Sequence, residues 1–218
     1  MCGRYTLHSS RARLLEKFGL DRADEVEPRY NIAPSQEVPV VRQQGDAREL
    51  VHLRWGLLPF WADDPRIGYK MINARAETVA SKPAFRPAFR RRRCLVPADG
   101  FYEWKAQGRA KQPYYLRMQD GEVFAFAGLW EHWQGEGEVV ESFTIIVGPP
   151  NELGAPIHDR MPVILDPASY DRWLEPQADP AALAALLGPY PADAMEAYPV
   201  SRRVNRPAND DEQCIAPA

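Results

Sequence analysis

Proline decides what this chain can be. Twenty-one of its 218 residues are proline, and they are spread from end to end rather than gathered in a linker. Each one fixes φ, removes a backbone donor and, inside a helix, costs about 3 kcal/mol. Long helices and coiled coil are therefore excluded, and the chain has to be built from many short elements joined by turns. A hydrophobic share of 45% with 26% charged residues is ordinary for a globular protein and excludes bulk disorder. The length suits one domain with a sizeable core, taken here as residues 1–218.

The local patterns agree. Ser9 or Ser10 can cap a helix that carries Leu14, Leu15 and Phe18 on one face and stops at Gly19. Residues 38–41 and 49–54 read as a hairpin around Gln44-Gly45-Asp46. A short basic helix is expected over 86–93, with Pro87 in its first turn. Residues 95–96, 100–105, 114–118, 123–129 and 143–147 read as strands, being rich in aromatic and β-branched side chains. Asp166-Pro167 and Asp179-Pro180 each look like an N-cap followed by proline, starting short helices near 168–174 and 181–187. Several strands with few helices imply an α+β fold on an antiparallel or barrel-like sheet.

Other classes fall away quickly. Three scattered cysteines (Cys2, Cys94, Cys214) give no disulfide framework, and four scattered histidines have no metal-ligand spacing. No glycine-rich phosphate loop is present, so no metal and no cofactor are expected. No apolar run approaches the ~20 residues that span a bilayer, and no secretory signal is recognisable, so no membrane partner is expected and the cytoplasm is the expected compartment.

A net charge of −3 argues against a nucleic-acid binder, but its distribution argues the other way. From Arg66 to Cys94 there are nine Lys or Arg and one acid, Glu77; from Gln119 to Ser142 there are six acids and no Lys or Arg. Such a strip either binds phosphate or is a solvated helix face.

Chemistry concentrates in a few residues. Removal of Met1 would leave Cys2 with a free α-amine beside its thiol, both partly nucleophilic near neutral pH. A 1,2-aminothiol condenses with an aldehyde to an imine, on which the thiol then closes to a thiazolidine. The plain alternative is a small apolar residue near a terminus. Glu103, a carboxylate within Gly100-Phe101-Tyr102-Glu103-Trp104, can shuttle protons if buried, or face solvent if the alternation runs the other way. His158 in Pro156-Ile157-His158-Asp159-Arg160-Met161-Pro162 is a proton carrier or a structural histidine. Asn73 offers amide donors to a carbonyl or oxyanion, or caps a turn. Arg75 and Arg160 have forked donors suited to phosphate.

Seven segments then occur in order: Met1-Cys2-Gly3-Arg4-Tyr5, Pro28-Arg29-Tyr30-Asn31-Ile32-Ala33-Pro34, Arg54-Trp55-Gly56-Leu57-Leu58-Pro59-Phe60-Trp61, Asn73-Ala74-Arg75-Ala76-Glu77-Thr78, Gly100-Phe101-Tyr102-Glu103-Trp104, Gly128-Leu129-Trp130-Glu131 and His158-Asp159-Arg160-Met161-Pro162. Each is weak alone; together they resemble the SOS-response-associated peptidase (SRAP) family over nearly the whole chain. The resemblance implies a single α+β domain with an antiparallel β-barrel-like core and short flanking helices. It implies an abasic-site sensor that binds single-stranded DNA, plain or at a junction with double strand, and is nucleoid-associated when bound. By the same resemblance Cys2 is the nucleophile that forms a thiazolidine with the ring-opened sugar, after loss of Met1. Glu103 would assist ring opening and imine formation, His158 would act on the sugar oxygen and in reversal, and Asn73 would hold the N-terminal residue and the lesion. Arg4, Arg75 and Arg160 match positions that contact phosphate, while Trp104 and, more weakly, Trp61 are candidates for stacking on bases. The chain departs from the family pattern at Val147, where relatives usually carry threonine. Because an imine forms first, weak lyase activity is compatible with this chemistry. Two alternatives stay open: an N-terminal-nucleophile cysteine peptidase or amidohydrolase, and a non-covalent DNA-binding module, in each case monomeric by default.

Overall fold

Turn chemistry explains most of what the chain does locally. In a computed structural model describing residues 2–135 and 137–218, Gly45 takes φ +59° at the tip of the expected hairpin. In chain order the elements are β1 (Tyr5–Leu7), α1 (Arg11–Phe18), β2 (Arg29–Ile32), β3 (Glu37–Gln44), β4 (Ala47–Trp55), β5 (Asn73–Arg75) and α2 (Arg86–Arg91). They continue with β6 (Arg93–Ala98), β7 (Gly100–Gln107), β8 (Ala110–Met118), β9 (Phe124–Gln134), β10 (Val139–Gly148), β11 (Met161–Pro162), β12 (Ile164–Leu165), α3 (Tyr170–Leu174), α4 (Pro180–Ala184) and β13 (Met195–Pro199). Ser10 caps α1 through the Arg13 N–H, and Gly19 ends it in the left-handed region, as the pattern predicts. Asp166 and Asp179 accept from the backbone one and two residues past the following proline. The basic helix stops at Arg91, two residues earlier than expected, because Arg93 already belongs to β6.

Five strands close into a barrel. β3 pairs with β4 and β6, β6 with β9, β9 with β10, and β10 returns to β4. All these pairings are antiparallel except β10 with β4, which is parallel at Ser142↔Arg54 and Phe143↔Trp55. Closure removes the exposed edges that a five-stranded sheet would otherwise present. β5 continues along the β10 edge where β4 leaves it, at Ile145↔Asn73 to Val147↔Arg75. The turn between them is held by Trp55 Nε1, which donates to the Ile72 carbonyl at 2.9 Å. A second antiparallel sheet runs β13-β8-β7-β1-β2.

Aromatic rings lock the two sheets together. Tyr5 of β1 lies edge-on to Trp55 at 5.3 Å and to Phe126 at 5.9 Å, and Phe101 of β7 reaches Phe126 at 5.8 Å. All four rings are essentially fully buried, each worth roughly 1.5–3 kcal/mol of transfer free energy. Gly100 lets the Tyr115 ring lie against β7, since a Cβ there would sit 2.3 Å from it. No helix among the described residues is long and apolar enough to cross a membrane.

This core has a pH signature. Burial pushes Tyr102 and Tyr115 above the ordinary 10.0 of tyrosine and Cys94 above the ordinary 9.0 of cysteine. Above pH 9 the unfolded chain therefore releases protons that the folded chain keeps. Fewer protons on the unfolded state means stability falls as pH rises, by up to about 1.4 kcal/mol per pH unit per group. Thermal unfolding should show a Tm that drops steadily above pH 9; a constant Tm to pH 11 would contradict it.

Candidate functional site

The strand order brings the first residues of the chain to β7. Tyr102 N–H donates to the Arg4 carbonyl at 3.0 Å, which aligns the segment before β1 with the middle of β7. Cys2 is thereby fully buried, with its Sγ 3.9 Å from the Arg4 carbonyl oxygen. Its thiol is pushed well up, first by burial and then by the Glu103 carboxylate facing it. Glu103 sits in β7 opposite Tyr114 of β8 and is only 4% exposed. Of the two faces open to it in sequence, the structure places it on the buried one.

Trp104, the next residue, is half-buried and packs against the Tyr102, Tyr115 and Val204 cluster. Its indole N–H donates to Asn205 Oδ1 at 2.8 Å. His158 ends a turn in which its own N–H donates to the Gly154 carbonyl at 3.0 Å. The Arg160 backbone N–H, which can only donate, meets His158 Nδ1 at 3.0 Å, so in the neutral ring the proton lies on Nε2. The exposed Asp159 carboxylate lies 2.9 Å from the same Nδ1.

Glu103, Trp104 and His158 line one open cavity of about 540 Å³ together with Lys111 and Asn205. A larger hollow of about 730 Å³ lies between the α1–β2 connection and the β3–β4 hairpin, and holds none of the expected residues. Two of its arginines are already committed, Arg11 to the Ala23 carbonyl and Arg48 to the Phe18 carbonyl and Asp171.

The remaining expected residues arrive by other routes. Asn73 and Arg75 stand on β5 beside Ile145 and Val147 of β10. An Asn73 amide hydrogen points at the Ile145 carbonyl at 3.5 Å, while its buried Oδ1 has no hydrogen-bond partner among the described residues, so Asn73 presents an acceptor beside the amide donors expected of it. Val147 is fully buried between Arg75 of β5 and Pro162 of β11. The Arg75 side chain is exposed and makes no hydrogen bond or ion pair among the described residues, whereas Arg160 is ion-paired to Glu77. Arg4 donates inward to Asn31 Oδ1 at 3.1 Å and to the Val204 carbonyl at 2.7 Å. Trp61, 48% exposed beside Phe60, lies on the loop after β4 and does not line the cavity.

Sequence reasoning missed four residues. Asn31, fully buried, shares its Nδ2 hydrogens among the Val204, Arg206 and Asn209 carbonyls. Asp99 accepts the Ser9 N–H at 2.8 Å and the Ser9 hydroxyl, fixing the exit of β1 beside β7. Lys111 and Asn205 form the outer wall of the cavity. Only Asn31 carried a signal, since it stands inside one of the ordered segments.

Comparison with known proteins supplies the context. The sequence model of the SOS response associated peptidase (SRAP) family matches residues 1–207. The abasic site processing protein YoqW of Bacillus subtilis is 48% identical over 221 residues, spanning 99% of both chains. The abasic site processing protein YedK of Escherichia coli is 32% identical over 225 residues and all of both chains. The abasic site processing protein HMCES of Gallus gallus is 33% identical over 229 residues, covering 90% of this chain and 68% of that protein. A crystal structure of a protein from Bacteroides thetaiotaomicron superposes over 100% of both chains with a TM-score of 0.91 and 28% identity.

Proposed function

The chain belongs to the SOS response associated peptidase (SRAP) family, and on that premise we propose that it processes abasic sites by covalent capture of single-stranded DNA. The observation that carries the reading is the buried Glu103, whose charge acts on the fully buried Cys2 thiol and which lines a cavity together with Trp104 and His158. Removal of Met1 exposes the Cys2 α-amine. The amine attacks C1′ of the ring-opened sugar and loses water to form an imine. The thiol then adds across the C=N bond: an S–C bond forms, and the thiol proton passes to nitrogen by way of Glu103. The product is protein plus DNA minus one water. Glu103 is placed for the proton transfers and His158, carrying its proton on Nε2, for the sugar oxygen. Asn73 Oδ1, a buried acceptor without a partner among the described residues, suits an ammonium or hydroxyl donor. Holding the aminothiol against a scarce open-chain aldehyde supplies effective concentration. Arg75 and the exposed cations around it attract phosphate, and Trp104 stacks on a base. A single-domain monomer in the cytoplasm is sufficient for this chemistry.

A peptidase reading fares worse on one point. A cysteine nucleophile for amide bonds is activated by a lowered pKa, and burial and Glu103 push the Cys2 thiol the opposite way. In a condensation the amine leads and the thiol follows, so no free thiolate is needed at the outset.

Intact mass spectrometry tests the proposal. Purified protein should lack Met1 and, mixed with single-stranded DNA bearing one abasic site, should give a heat-stable species at the summed mass less water. Acetylation of the α-amine should abolish that species. A species that survives acetylation would assign the bond elsewhere, and its absence from the unmodified protein would refute capture.

A further inference from the structure

Two residues of the cavity, Lys111 and Asn205, take no part in the chemistry above, and both line it together with Trp104. Across the β7–β8 ladder Trp104 faces Pro113 and Ala106 faces Lys111, so all four side chains share one face of the hairpin. Lys111 and Trp104 both line the cavity. Lys111 is exposed and has no hydrogen bond or ion pair among the described residues. The other residue is Asn205. An indole N–H only donates, so the atom facing it is Oδ1, and the carboxamide N–H₂ of this exposed residue has no partner among the described residues. Asn205 is itself fixed from behind, because the preceding Val204 carbonyl receives Arg4 and Asn31.

We propose that Lys111, Trp104 and Asn205 form a nucleotide subsite next to the lesion. The ring takes a base, Asn205 holds the ring in orientation, and Lys111 meets that nucleotide's phosphate. A planar apolar face that shares one cavity with a cation and with amide donors matches the three chemical parts of a nucleotide. The inference rests on the DNA reading of the site and deepens it.

The test is equilibrium binding to a short single-stranded oligonucleotide carrying a tetrahydrofuran in place of one nucleotide, a probe with no aldehyde to trap. Lys111→Gln should weaken binding and reduce the slope of log K against log salt by about 0.7, one phosphate contact. Neutralising single linkages as methylphosphonates should reveal one position at which wild type and Lys111→Gln bind alike. Asn205→Ala should cost about 3-fold alone and nothing further when Trp104 is already Ala. An unaltered salt slope in Lys111→Gln, or a loss persisting at every methylphosphonate position, overturns the phosphate assignment. Additive losses for Asn205→Ala and Trp104→Ala overturn the positioning role. Wild-type protein that ignores the oligonucleotide refutes the DNA reading, and the subsite with it.

Discussion

Protein carrying Cys2→Ser should lose its heat-stable DNA adduct by at least about 100-fold and yet remain trappable on abasic DNA with a hydride reductant. Serine keeps the α-amine, so imine formation proceeds and borohydride reduces the imine to a stable secondary amine. What serine lacks is the sulfur that closes the ring, and a five-membered oxygen ring reverts readily in water. The two readouts separate the two bonds. Heating without reductant measures ring closure; reductant before heating measures imine formation. An undiminished heat-stable adduct in Cys2→Ser would place the durable bond on another residue. Equal loss in both readouts would mean that the thiol, not the amine, attacks first. The expectation that the amine leads rests on the thiol: the Sγ is fully buried and its ionisation is disfavoured by burial and by Glu103.

The parts of this molecule that could be read from sequence are those whose determinants are local. Ser10 and Gly19 delimit α1 because cap and stop chemistry act within one turn. The hairpin at Gly45 is legible for the same reason. By contrast β5, β11 and β12 are two or three residues long and exist only because β9 and β10 offer them an edge. Nothing in Asn73-Ala74-Arg75 carries a period, so the strand is set by its distant partner. Parallel pairing of β4 with β10, which closes the barrel, is equally invisible.

Charge is the clearest case of a pattern that folding rearranges. The basic strip and the acidic segment are separated in sequence but meet in space, where Arg92 binds Glu131, a carboxylate 2% exposed. Arg93 turns inward and donates to the Trp173, Phe89 and Glu175 carbonyls. Part of what reads as a phosphate-attracting strip is therefore scaffold, and the cations without partners among the described residues include Arg75, Arg86, Arg90 and Arg91. In the site, Glu103, Trp104 and His158 were legible as residue types. Their convergence depends on β7 being central in its sheet, with β1 on one side and β8 on the other. Asn205 was illegible because its role is to hold an indole 101 positions away.

Substituting Asn31 by leucine should destabilise the protein by about 3 kcal/mol and release the segment that carries Asn205. Leucine is close in volume, so packing changes little and the loss is electrostatic in origin. The Arg206 carbonyl loses its donor, the Val204 and Asn209 carbonyls are left with Arg4 and the weak Cys214 thiol respectively, and Arg4 loses an acceptor. An orphaned buried polar group costs about 1–3 kcal/mol, and partial access of water to the Arg206 and Asn209 turn reduces the sum. The segment is not freed altogether, because Asp210 still accepts the Asn31 N–H at 2.7 Å and binds Arg29. The barrel, which does not use Asn31, keeps its pairing. Urea titration should therefore give a lower midpoint with an unchanged slope. Amide exchange should accelerate over residues 200–209 and stay slow in β6, β9 and β10. Abasic-DNA capture should slow in parallel, since Trp104 loses its fixed partner. A midpoint within 0.5 kcal/mol of wild type, with exchange over 200–209 unaltered, would mean that Asp210 alone holds the segment and that Arg4 and Asn31 contribute little to it.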